Sequence, residues 1–150
     1  MTENELSERL SKTTDKRSAL AVALEFIKTG EATTVETIAL LRGVLEDAYV
    51  PKYDGPSSGY EKWYEAHGQE ADAGLRKVQK LLLKQGQNVV DNENLPIEEL
   101  QTLYELCFDD VLYAMCNGPE DEAEARDMVW EAFNTGVAIN AYANQEGVSQ

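Results

Sequence analysis

Apolar residues recur three or four positions apart along most of this chain and almost never alternate. That spacing gathers one stripe of side chains on one side of an α-helix, whereas alternation would mark a half-buried strand. Leu20, Ala23, Leu24 and Ile27 share a face between Asp15 and Thr29, and Gly30 stands where a helix commonly stops. Thr33 with Glu36 reads as a capping box for the run from Val35 to Val50. That run carries Ile38, Leu41, Val44, Leu45 and Ala48 at helical spacing until Pro51 ends it. The stretch VPKYDGPSSG, residues 50–59, is a loop. A short helix over 60–67 is expected next, then a longer one over 70–85 with Leu75, Val78, Leu81 and Leu82 inward and Gly86 as its C-cap. Residues 87–95 read as a connector, in which Val89 and Val90 are the one hint of extended backbone.

Pro96 suits the first turn of a helix that should reach Met115 and end at Asn117–Gly118. Pro119 opens another in the same way, to about Asn134, which Gly136 either breaks or bends before VAINAYANQ. Residues 1–14 read as a polar arm or short helix, 15–145 as one α-helical domain with an acidic C-terminal half, and 146–150 as a tail. The fold class expected is all-α: an irregular bundle of five to six helices in a single domain.

Composition leaves that picture standing. The 150 residues suit one domain, and a hydrophobic share of 43% is enough for a core. The polar first residues lack the apolar stretch of a signal peptide, and no apolar run approaches a membrane span. A cytoplasmic location is therefore expected, a host cytoplasm if the source is viral. Cys107 and Cys116 lie nine positions apart on one expected helix. That is about 13 Å, too far for a disulfide. Two cysteines and one histidine cannot build a usual zinc site.

Charge changes the picture more. The formal net charge is −15, and it is unevenly spread. From Asp91 onward there are fourteen acids and one base, Arg126, while the first ninety residues hold fourteen acids and twelve bases. Direct binding to nucleic acid or an anionic membrane is disfavoured, because both repel such a chain. On the helix that opens at Pro96, Ile97, Leu100, Tyr104, Cys107, Phe108, Val111 and Met115 fall in one arc. Glu98, Glu105 and Asp109 fall together opposite, flanked by Glu99 and Asp110. On the next helix Glu120, Glu124, Asp127 and Glu131 follow i, i+4, i+7, i+11, while Val129, Trp130 and Phe133 point elsewhere. Like charges at i, i+4 cost a few tenths of a kcal/mol per pair. The first half of the chain avoids this by interleaving Lys and Arg; the second half does not.

Several chemistries fail on the residues. DNENLPIEE begins like a calcium loop, but Leu95 stands where a ligand is needed and Pro96 where glycine is needed. A di-iron bundle needs two Glu-x-x-His helices, and the single His67 follows Tyr64. Neither cysteine has a base near it in sequence, and no glycine-rich phosphate loop is present. Tyr49, Tyr53, Tyr60, Trp63 and Tyr64 crowd around the loop, either as a binding surface or as the lid of a core.

Glu98–Glu99 followed by Glu124-x-x-Asp127 resembles the magnesium-binding carboxylates of all-α nucleoside triphosphate pyrophosphohydrolases of the MazG and dimeric dUTPase kind. The resemblance covers part of the last sixty residues. The family pattern wants a third Glu where this chain has Thr102. It implies magnesium-dependent nucleotide hydrolysis.

The reading these features favour is not an enzyme and needs no cofactor or metal. It is a small acidic inhibitor that binds a basic nucleic-acid-handling protein, of restriction, CRISPR or toxin-nuclease type, by the logic of a DNA mimic. In charge and size alone the chain resembles phage anti-restriction and anti-CRISPR proteins and immunity proteins for nuclease toxins. Glu98, Glu105, Asp109, Glu120, Glu124, Asp127 and Glu131 would make the electrostatic contacts. The alternatives are an adaptor or chaperone for a basic client, the magnesium pyrophosphohydrolase, and an acidic face that only keeps the protein dispersed.

Overall fold

Short polar side chains start the first three helices by accepting amide hydrogens that the first turn leaves unpaired. Thr2 accepts from the amide of Glu5 and opens α1 (Glu3–Ser11). Asp15 accepts from Ser18 and opens α2 (Lys16–Thr29). Thr34 accepts from Thr37 and opens α3 (Val35–Tyr49). A 3₁₀ turn at Ser57–Gly59 leads into α4 (Tyr60–Asn92), followed by α5 (Ile97–Phe108) and α6 (Pro119–Ser149). The computed structural model describes residues 1–30, 32–92, 95–108 and 119–149, with backbone alone for 92, 119–121 and 139–149. Among the described residues there is no strand. The described residues form an all-α bundle of six helices in a single domain.

α4 is the axis of the bundle. It packs against α3 on one side and α6 on another, with α5 wedged among all three. Gly74 of α4 lies against the carbonyl of Tyr49, and Gln85 reaches the amide of Ala32, so α3 runs antiparallel to α4. Asp91 meets Trp130, Gly86 meets Phe133 and Leu83 meets Gly136, so α6 is antiparallel as well. The core between them holds Ile38, Leu41, Leu45, Val78, Leu82, Val89, Leu103, Val129 and Phe133, all at 0% exposure. Leu6 of α1 is also fully buried, and Arg9 pairs with Glu25 of α2 at 2.9 Å.

Four local expectations are corrected. The helices expected over 60–67 and 70–85 are one helix that continues to Asn92, so Gly86 is not a C-cap. A Cβ at Gly86 would collide with the ring of Phe133 and come within 2.9 Å of Cys107 Sγ, so this glycine lets two neighbours approach α4 closely. Val89 and Val90 are helical rather than extended. Thr34, not Thr33, caps α3; the amide and hydroxyl of Thr33 both donate to the carboxylate of Glu3. Gly136 does not break α6, whose helix runs on to Ser149; a Cβ there would sit 3.3 Å from Leu83. The expected end of the helix from Pro96, with Val111, Met115 and Cys116, lies outside the described residues.

Candidate protein-binding face

α5 turns its apolar side inward and its acids outward. Leu100, Leu103 and Cys107 are buried, with Ile97, Tyr104 and Phe108 half-buried beside them. Leu103 belongs to this core by position, although the spacing argument passed over it. Glu98, Glu99 and Glu105 are exposed. Glu98 and Glu99 also sit in the first turn, where negative charge complements the positive helix end. The hydroxyl of Thr102 donates to the carbonyl of Glu98 at 3.0 Å.

A cation of α3 reaches this helix. Arg42 of α3 donates through Nη1 to the carbonyls of Glu105 at 3.0 Å and Leu106 at 2.5 Å, and pairs with Glu46 at 2.7 Å. Its side chain is only 14% exposed. It therefore fastens the end of α5 to α3 and lines a cleft of about 370 Å³ with Glu46, Thr102, Glu105 and Leu106.

α6 repeats the division. Ala125, Val129 and Phe133 are buried, and Phe133 packs on Phe108 with ring centroids 5.0 Å apart. Glu124, Asp127 and Glu131 are exposed along the outer side. Met128 and Trp130 are exposed too, and Trp130 donates through Nε1 to Asp91 at 2.7 Å. Arg126 is turned to structural use: it donates to the carbonyl of Leu95 and lies 3.3 Å from Glu122. Leu95 stands just before α5, so this contact ties α6 to the start of its neighbour.

Of the seven acids expected to make contacts, Glu98, Glu105, Glu124, Asp127 and Glu131 are thus exposed. Asp109 lies outside the described residues. Glu120 is in the first turn of α6, with its side chain outside the description. Glu98, Glu99, Glu124 and Asp127, the acids of the pyrophosphohydrolase resemblance, are each exposed. Among the described residues no three His, Cys, Asp or Glu side chains are gathered as a metal-holding group. No helix among them is long and apolar enough to cross a membrane.

Sequence reasoning missed two fastenings of this face, Arg42 onto the end of α5 and Arg126 onto Leu95. The signal for the second was present: a lone base among fourteen acids is a candidate for internal use. Comparison with protein-family models, with curated proteins and with solved structures finds no match.

Proposed function

We propose that the chain is a non-catalytic acidic protein whose outer α5 and α6 faces bind a basic nucleic-acid-handling protein and block its groove. The observation that carries this reading is the use of Arg126. The only base in the last sixty residues is held against Leu95 and Glu122, while Glu124, Asp127 and Glu131 face solvent on the same helix. A surface meant only for solubility is served as well by mixed charges, which also avoid like-charge repulsion along the helix.

The spacing fits a phosphate-binding groove loosely. Carboxylates three and four residues apart rise about 4.5 and 6 Å along a helix axis. Phosphates of B-DNA rise about 3.4 Å per strand. The stripe is sparser than a DNA strand but linear and of the same sign. Such charges speed encounter more than they deepen final affinity. An inhibitor of restriction, CRISPR or toxin nucleases is the functional class of this description.

The test is capture of partners from a native lysate by the wild type and by a Glu124→Lys/Asp127→Lys/Glu131→Lys variant. The wild type should retain a basic, nucleic-acid-binding protein that duplex DNA displaces and the variant fails to retain. Simultaneous binding of DNA and this chain to that protein would refute the mimic. Equal capture by the variant would move the contact off α6.

A further inference from the structure

The inward stripe of α4 continues past the level at which α3 ends. Val78, Leu82, Gln85 and Val89 form its buried part, and the same spacing continues backward through Gly74, Ala71, Tyr64 and Tyr60. α3 ends at Tyr49, whose carbonyl lies against Gly74. The register of α6, with Phe133 at Gly86 and Gly136 at Leu83, brings Ser149 level with about residue 70. Among the described residues, the first turns of α4 are met by the 50–59 loop rather than by a helix. Tyr53 from that loop packs on Tyr60 and Trp63, each at 5.7 Å between centroids. Tyr60 and Tyr64 stack 6.1 Å apart at 29° and remain 47% and 46% exposed.

Carboxylates lie to one side of these rings. Tyr64 lies over Gly68, where a Cβ would come within 3.1 Å of the ring, and its hydroxyl points to Asp72 at 3.5 Å. Glu61 and Glu65, each one position on from a tyrosine, are exposed on the same side as Asp72. Lys62 is exposed on the opposite side of the helix, at 100° per residue. Flat rings flanked by carboxylates match one side chain better than any other. A guanidinium stacks its plane on a ring and forks two N–H groups onto a carboxylate, whereas an ammonium is a compact, strongly hydrated charge.

We infer that this overhanging face of α4, formed by Tyr60, Glu61, Tyr64, Glu65 and Asp72, docks an arginine-bearing segment of a partner protein. The inference rests on the partner being basic, as proposed above, but not on the α6 stripe. Asp91, which contacts Trp130 of α6, lies about 40 Å along α4 from Tyr64. The two surfaces are separate contacts.

The test uses the full chain and two 12-residue peptides of equal charge, one arginine-rich and one lysine-rich, titrated calorimetrically at 0.15 M salt. The wild type should bind the arginine peptide roughly three-fold more tightly than the lysine peptide, the scale of an exposed cation–π contact. Tyr60→Leu/Tyr64→Leu should erase that preference. Glu61→Gln/Glu65→Gln, which leaves every ring contact in place, should reduce it. Glu124→Lys/Asp127→Lys/Glu131→Lys should weaken both peptides and keep the preference, so the two readings fail separately. Equal affinity for the two peptides in the wild type would overturn the inference, as would a preference unchanged in the Gln pair. Sedimentation showing a wild-type dimer that Tyr60→Leu/Tyr64→Leu dissociates would also overturn it, assigning the face to a second copy of this chain.

Discussion

Glycine carries opposite meanings at two positions in this chain. Gly43 is exposed in the middle of α3 with nothing within 4 Å of a Cβ placed there. Gly43→Ala should stabilise the protein by about 0.5–1 kcal/mol, because alanine loses less backbone freedom on folding. Gly86 is buried where Phe133 and Cys107 press on α4, and Gly86→Ala should cost about 1–3 kcal/mol through overpacking. Urea unfolding of both variants checks the pair, and effects of the same sign would contradict the packing. Arg126→Met leaves the Leu95 carbonyl without its guanidinium donor and should cost about 1–3 kcal/mol, whereas a merely decorative surface arginine would cost under about 0.5 kcal/mol.

Among elements, the fastenings are polar and come from a few side chains. Gln85 is 2% exposed and clamps the link between α2 and α3, accepting from the amide of Ala32 at 3.0 Å and donating to the carbonyl of Ile27 at 3.1 Å. Gln85→Leu should lower stability by about 1–3 kcal/mol, because both backbone groups lose a buried partner. At the start of α2 the Ser18 amide holds the Asp15 carboxyl below its ordinary range. A lowered folded value means that the cap contributes fully above about pH 4, the unfolded value, and is lost as pH falls through the lowered one. Asp15→Ala should therefore melt below the wild type at pH 7, and the gap should close in acid. A gap that widened in acid would reverse the sign of the argument.

The helices themselves were legible because their apolar spacing is regular. Asp15, Gly30, Val35 and Pro119 fell at or within one residue of the helix starts and stops they suggested. The breaks were less legible, because Gly68, Gly86 and Gly136 look alike in sequence whether they end a helix or admit a neighbour. Which holds depends on Tyr64, Phe133 and Leu83, and Phe133 lies far along the chain from Gly86. The acidic side of α5 and α6 was readable from spacing alone. The inward use of Arg42 was not, since the carbonyls of Glu105 and Leu106 that it reaches carry no mark in the sequence, and for Arg126 only its isolation among acids hinted at it.

Charge is distributed unevenly over the molecule as a whole. A net charge of −15 works against compaction, and the chain tolerates it because the acids of α5 and α6 described above face water. Glu124→Lys/Asp127→Lys/Glu131→Lys should accordingly keep or raise the melting temperature, since it removes like-charge neighbours from one helix. A fall of many degrees would show that these acids support the fold. With structure intact in that variant, any lost binding reports on contact rather than unfolding.

If the outer faces of α5 and α6 bind a basic protein through these acids, the complex must weaken as salt rises. Affinity of the wild type for its captured partner is measured between 0.05 and 0.5 M salt, beside the triple-lysine variant. Surface attraction is screened over about 10 Å at 0.1 M salt. Affinity should fall steeply with salt for the wild type, with binding abolished in the variant at every concentration. A complex whose affinity is flat across that range, or one that the variant forms as tightly as the wild type, would contradict it.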